Sequence, residues 1–168
     1  MAISLDTLRR AGVQYRGQRA RTLQEAKALS IKSGFLCHSH KDADLVKGLI
    51  AHLSAAGLDI YVDWEDTEMP AQPNRETAER IKRRIIASDL FLFLATANSM
   101  TSRWCPWEIG YADGKKPIDS ILVIPTSEGY TTHGNEYMQL YRRIDEMPSG
   151  SVQLFEAGGS SGRSLRWL

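Results

Sequence analysis

Cysteine is nearly absent: only Cys37 and Cys105 occur in 168 residues, in neither metal-ligand nor redox spacing, which excludes a disulfide-stapled fold. Long apolar runs are missing too. The longest, Leu90 to Ala97 interrupted by Thr96, is far too short to span a bilayer. No charge of one sign dominates, since 21 basic residues face 20 acidic ones, and the net charge of +1 gives no electrostatic footprint for nucleic acid or a membrane surface. The opening Met1-Ala2-Ile3-Ser4-Leu5-Asp6 turns basic and polar, without the apolar core of a secretion signal. The expectation is a reduced, cytoplasmic protein with no nucleic-acid partner, no membrane association and both thiols buried as small hydrophobes.

What is present is a regular alternation, on a length suited to one domain. Residues 1–33 read as a basic, helical extension: Arg9, Arg10, Arg16, Arg19, Arg21, Lys27 and Lys32 face only Asp6 and Glu25. Thr22-Leu23-Gln24-Glu25 has the spacing of a capping box. This arm is either a docking segment or a helix packed on the domain with a solvated basic face. From Gly34, Phe35-Leu36-Cys37 forms a short strand, and Asp42 caps a helix with Leu45, Val46, Leu49, Ile50 and Leu53 on one side and Gly57 at its close. Leu58 to Asp63 alternates as a strand. Asn74 caps a helix marked by Ala78, Ile81, Ile85 and Ile86, and Leu90 to Leu94 reads as a central strand covered on both faces. A helix from about Trp104 to Asp113 precedes the strand Ile121 to Ile124. Glu136 to Ile144 fits helical spacing, Val152 to Phe155 fits a last strand, and residues 158–168 read as a flexible glycine-rich tail.

Alternating strands and helices imply an α/β domain over residues 34–157: a flavodoxin-like three-layer sandwich around a five-stranded parallel sheet. In such sheets ligands sit beyond the C-terminal strand ends, here the loops after Cys37, Asp63, Ala95 and Ile124. Familiar phosphate grips are missing from those loops. No G-x-G-x-x-G follows the first strand, and near Gly110 and Gly114-Lys115 the spacing is short, with Lys116 where a phosphate loop needs Ser or Thr. A phosphoacceptor receiver, which shares the expected topology, needs an acidic pair after the first strand and an Asp after the third. His38-Ser39 and Thr96-Ala97-Asn98 stand there instead.

Three segments form a constellation: Phe35-Leu36-Cys37-His38-Ser39-His40-Lys41-Asp42, then Tyr61-Val62-Asp63-Trp64, then Ser102-Arg103-Trp104-Cys105-Pro106-Trp107-Glu108. In this order they resemble the signature boxes of TIR domains over about Gly34 to Ile124. The third is similar to the family's Ser-x-Trp-Cys-x-x-Glu pattern, with the Trp-x-x-x-Glu spacing of bacterial members. The resemblance implies the TIR form of the flavodoxin-like fold and NAD+ as a substrate rather than a bound cofactor. It implies Glu108 as the catalytic residue, Trp104 lining the substrate pocket, and Phe35, His38, Ser39, Asp63 and Trp64 near the nucleotide. Trp64-Glu65-Asp66 at the entrance of the BB loop is closer to bacterial forms than to animal ones. Metal binding by His38 and His40 is not expected.

One carboxylate suits this chemistry. Glycosidases use two carboxyl groups because the leaving oxygen needs a proton. The nicotinamide of NAD+ already carries positive charge and departs neutral, so a single carboxylate that orients the ribose and stabilises the oxocarbenium ion suffices. Water as acceptor gives ADP-ribose, and an internal acceptor gives a cyclic isomer. On spacing alone, however, Glu108 reads equally as a first-turn carboxylate facing the helix dipole, with Trp104 and Ile109 as a hydrophobic staple. The resemblance further implies a stand-alone signal producer like that of Thoeris anti-phage defence, which reaches a separate effector through a diffusible nucleotide. Two alternatives stand beside it: a non-catalytic module that self-associates through the BB loop, about Glu65 to Arg75, and an enzyme akin to nucleoside deoxyribosyltransferases.

Overall fold

Residues with apolar side chains on alternate positions become the strands, and those with apolar stripes at helical spacing become their covers. The computed structural model describes residues 1–64 and 74–168, the side chain of Trp167 excepted. In chain order the elements are β1 (Ile3–Ser4), α1 (Leu5–Val13), α2 (Leu23–Ala28), β2 (Lys32–Cys37), α3 (Ala43–Ala55), β3 (Ile60–Asp63), α4 (Arg75–Ala87), β4 (Leu90–Ala95), α5 (Ala97–Met100), α6 (Cys105–Asp113), β5 (Ile121–Glu128), β6 (Thr131–His133), β7 (Arg142–Glu146), β8 (Val152–Phe155) and β9 (Gly162–Ser164). Strands β3-β2-β4-β5-β7 lie side by side and parallel, which is the flavodoxin-like order the alternation implied. Strands β8 and β9 extend the sheet antiparallel, β1 runs parallel to the far end of β5, and β6 folds back on that same end.

Because successive strand residues point to opposite sides, the sheet has two distinct faces. Leu36, Val62, Leu92, Leu94, Leu122 and Ile124 pack against α1 and α3. Phe35, Cys37, Phe91, Phe93 and Val123 pack under α4 and α6. On the first face the helices touch at Gly48, where an added Cβ would lie 1.9 Å from the Leu8 carbonyl oxygen. Only glycine permits that approach. Caps follow the sequence closely: Asn74 accepts the Thr77 amide at 2.8 Å, and Gly57 closes α3 with φ +83°.

Four expectations differ from the structure. Glu136 to Ile144 is not a helix: a 3-10 turn, Asn135–Tyr137, leads into β7, because Arg142 and Arg143 find parallel backbone partners at Leu122 and Val123 of β5. Val152–Phe155 is a strand but not the last parallel one. It returns antiparallel beside β7 through the turn that Gly150 allows with φ +81°. Residues 158–168 are not a loose tail, since β9 pairs with β8 and Leu165 is buried in the core. The arm packs on the domain, as the second of its two readings has it, with Ile3, Leu5 and Leu8 buried; what differs is its boundary, since β2 begins at Lys32, inside the expected extension. Among the described residues no helix is long and apolar enough to cross a membrane.

Candidate active site

Parallel strands place their C-terminal ends on one rim, so Cys37, Asp63 and Ala95 end together, and α6 starts close by. Ser102 caps that helix: its Oγ accepts the amides of Trp104 at 3.1 Å and Cys105 at 3.3 Å. The start of α6 is thus capped by a serine. Glu108 lies one turn further in, only 5% exposed, its amide bonded to the Trp104 carbonyl at 2.8 Å. It faces the end of β2. There the buried Cys37 thiol sits among the Cys105 carbonyl, 3.9 Å away, and the Glu108 carboxylate. Burial first, then a hydrogen bond with the Cys105 side chain and the neighbouring Glu108 charge, push Cys37 well above the ordinary thiol range, so it is protonated at neutral pH and can donate to its acceptors. Cys105 is buried as well, so both thiols occupy the interior positions expected of them.

Beyond Cys37 the chain turns through His38 and Ser39. His38 Nδ1 lies 3.0 Å from the Leu36 carbonyl oxygen, which can only accept, so Nδ1 carries the proton and Nε2 presents a lone pair. Burial, the largest influence, holds the imidazole below its usual pKa and favours the neutral ring. The His38 ring meets Trp64 edge-on at 6.2 Å. Ser39 is buried and accepts the Lys41 amide at 3.4 Å. Asp42 makes no side-chain cap to α3, correcting the expectation. Its carboxylate instead accepts the Thr96 hydroxyl and, at 2.6 Å, the Asn98 amide, locking the loop after β2 to the loop after β4.

Phe35 and Asp63 are register partners on β2 and β3. Arg84 grips Asp63 with Nε 2.8 Å from Oδ2 and its Nη2 on Oδ1, while its guanidinium lies 6.0 Å from the Phe35 ring centre. The Asp63 carboxylate is therefore committed to an ion pair. Arg84, one of the basic run Lys82-Arg83-Arg84 on α4, is thus a structural cation. Lys82 of the same run lies over Trp107 and Tyr111, at 6.0 and 5.6 Å from their ring centres.

Two aromatic groups flank the rim. Trp104 stands edge-on to Trp107 at 5.5 Å, and Trp107 stacks on Tyr111 at 5.9 Å, on the α4–α6 side. Trp64 packs on the α3 side. The two indoles expected near the nucleotide thus belong to opposite sides of the strand ends. Tyr137, unnoticed in the sequence because its segment read as a helix, meets Phe93 edge-on at 5.3 Å close to Cys37 and Cys105. Gly134, at φ +89°, lets that segment pass over β4, because a Cβ there would lie 2.6 Å from Ala95. Nearly all of the expected BB loop falls at residues 65–73, outside the described residues. Among the described residues no three His, Cys, Asp or Glu side chains converge as a metal ion needs.

The arrangement combines the buried Glu108 carboxylate with a neutral imidazole, hydroxyls and flat apolar walls, a combination fit to hold a heterocycle and stabilise positive charge on a sugar carbon. A family model for the TIR domain matches residues 35–146. A probable 3' cyclic ADP-D-ribose synthase, ThsB', of Bacillus cereus (strain MSX-D12) is 37% identical over 110 residues, 64% of this chain and 57% of that protein. A provisionally named cyclic ADP-D-ribose synthase, TIR2, of Cytobacillus dafuensis is 31% identical over 81 residues, 46% of this chain and 21% of that protein. The chain spans under two thirds of either relative. The family match takes in the strand ends, the α6 start and the fifth parallel strand, and on that ground the chain belongs to the TIR domain family.

Proposed function

We propose that the chain cleaves the nicotinamide–ribose bond of NAD+ and releases an ADP-ribose-type product, cyclic in form, as a diffusible signal in anti-phage defence. The observation that carries this reading is the Glu108 carboxylate, buried at the rim beside the protonated Cys37 thiol. A carboxylate enclosed in low dielectric interacts strongly with cationic charge developing on the ribose. Departing nicotinamide is neutral and needs no proton, so His38 serves as a hydrogen-bonding wall rather than as an acid. Trp104 covers the site from the α6 side and limits water, which favours an internal acceptor and hence a cyclic product. Phe35, Ser39 and Trp64 complete the walls. Asp63 acts through Arg84 in fixing where β3 leaves the sheet. Self-association through about residues 65–75 belongs to the same reading, as does a separate effector that responds to the product. The names of the two relatives, both cyclic ADP-D-ribose synthases, support it.

The test follows NAD+ by chromatography and mass spectrometry for wild type and Glu108→Ala, each with and without lysate from phage-infected cells. Nicotinamide release that vanishes in Glu108→Ala is expected, with a product mass equal to ADP-ribose less water. Folded wild-type protein that leaves NAD+ intact under every condition overturns the proposal and favours the assembly module. Turnover of deoxynucleosides instead would assign the deoxyribosyltransferase-like alternative.

A further inference from the structure

The segment joining α1 to α2 is anchored across the edge strand β3. Gln18 Nε2 donates to the Val62 carbonyl at 2.9 Å, and its Oε1 accepts the Val62 amide at 2.6 Å. One side chain thereby supplies the two backbone partners that an outermost strand lacks. Arg19 is tied outward to Asp59 at 2.8 Å, and Ala20 is buried with Ala26, Ile31 and Tyr61. Gly17 adopts φ +97°, the left-handed turn that glycine accepts freely. Between these anchors the segment encloses a half-open recess of about 290 Å³.

Among the described residues, the charged side chains that line that recess are both positive: Arg16 and Arg21, set beside Tyr15 and Tyr61. Neither arginine makes an ion pair among the described residues, whereas Arg9 and Arg19 of the same arm do. An unpaired arginine on a convex surface is merely solvated. Two of them lining one concave, aromatic-walled space held by a clamped backbone supply two planar guanidinium forks, the donor chemistry that phosphate oxygens fit. We propose that this recess is a binding site for a small phosphate-bearing ligand, with Arg16 and Arg21 on the phosphate and Tyr15 and Tyr61 along its flanks. None of Glu108, Trp104, His38 or Ser39 lines it. Tyr61 nevertheless connects the two sites, since its hydroxyl lies 3.5 Å from Asp63, the carboxylate that Arg84 holds under Phe35. A phosphate settling against Tyr61 would act on the place where β3 leaves the sheet.

The experiment is calorimetric titration of inorganic pyrophosphate into the full chain, comparing wild type with Arg16→Ala, Arg21→Ala, the double alanine variant, the double lysine variant and Gln18→Ala. Circular dichroism checks that each remains folded, as expected for substitutions at exposed arginines. Saturable binding that weakens with added salt is expected, with affinity falling about ten-fold for each arginine removed. The lysine variant should fall between, because an ammonium keeps charge but not the fork, and Gln18→Ala should bind more weakly because the loop loses its clamp. Wild-type protein with no saturable binding up to the order of 10 mM overturns the proposal. So does a double alanine or double lysine variant that binds as wild type does. NAD+ turnover is not read, so a negative result here is separate from any failure of the proposed activity.

Discussion

The two faces of the sheet share the same backbone and differ in chemistry. Toward α1 and α3 the strands present Leu, Ile and Val, and the helices close to backbone contact at Gly48. Toward α4 and α6 they present Phe35, Cys37, Phe91 and Phe93, and at the rim Glu108, Tyr137 and the Asp63–Arg84 pair. Aliphatic side chains interlock without polar atoms to satisfy, so the first face serves stability. Aromatics, a thiol and buried carboxylates need hydrogen-bond partners or lose free energy, so they occur where chemistry compensates for that cost. Strand periodicity lets one polypeptide carry both without mixing them.

That separation can be broken experimentally. Glu108→Gln keeps the shape of the side chain and removes its charge; nicotinamide release should drop about 10³-fold, roughly 4 kcal/mol of transition-state stabilisation, with the melting temperature nearly unchanged. Gly48→Ala should do the reverse. Its Cβ overlaps the Leu8 carbonyl oxygen, so α1 must move away from α3, at a cost of about 3 kcal/mol in urea unfolding, while activity per folded molecule survives. If Gly48→Ala instead lost activity ahead of stability, the two faces would be coupled and the division wrong. Asp63→Asn removes the Asp63 charge from the half-buried Arg84, so unfolding should ease by about 2 kcal/mol, and a double-mutant cycle with Arg84→Gln reads the coupling directly. Gln18→Ala strips Val62 of both partners and should cost about 1 kcal/mol by the same assay.

The smallest effect is a pH dependence that comes from two histidines. Burial holds His38, at the rim, and His52, on α3, below the ordinary value of 6.5. The unfolded chain therefore takes up protons first as pH falls. Stability is full above about pH 6.5 and declines below it toward the folded-state values. Urea midpoints measured from pH 7.5 to 5 should slope downward, and less so in His38→Asn and His52→Asn. Equal slopes in wild type and both variants would show that neither ring is the source.

Much of this was legible in the residues. Continuous apolar runs marked β2 and β4, helical spacing marked α3 and α4, and the Trp-x-x-x-Glu segment placed a carboxylate at the start of α6, where the structure has it. What escaped shares one physical cause: roles decided by partners distant in the chain. Tyr137, Met138, Tyr141 and Ile144 satisfy helical spacing, and only backbone bonding to β5 and β8 makes Arg142–Glu146 a strand. Arg84 looks solvated until Asp63, 21 positions away, lies against it. Asp42 stands at a helix start, yet Thr96 and Asn98, more than fifty positions on, take its carboxylate. Cys37 reads as a small hydrophobe until Glu108 and the Cys105 carbonyl close around it.

The pairing of β1 with the far end of β5 has a consequence for biosynthesis. Ile3 opposes Thr126, so about 120 residues must be translated before the first strand meets its neighbour, a delay of roughly 6–25 s at ribosomal speeds. During that interval α1 has α3 to lie against but no ladder to join, and the sheet cannot finish closing. Completion therefore waits until Thr126 has left the tunnel, and a contact of such long range is slow to form even then. Ile3 and Ser4 are made well before their partners on β5 and are secured only with them.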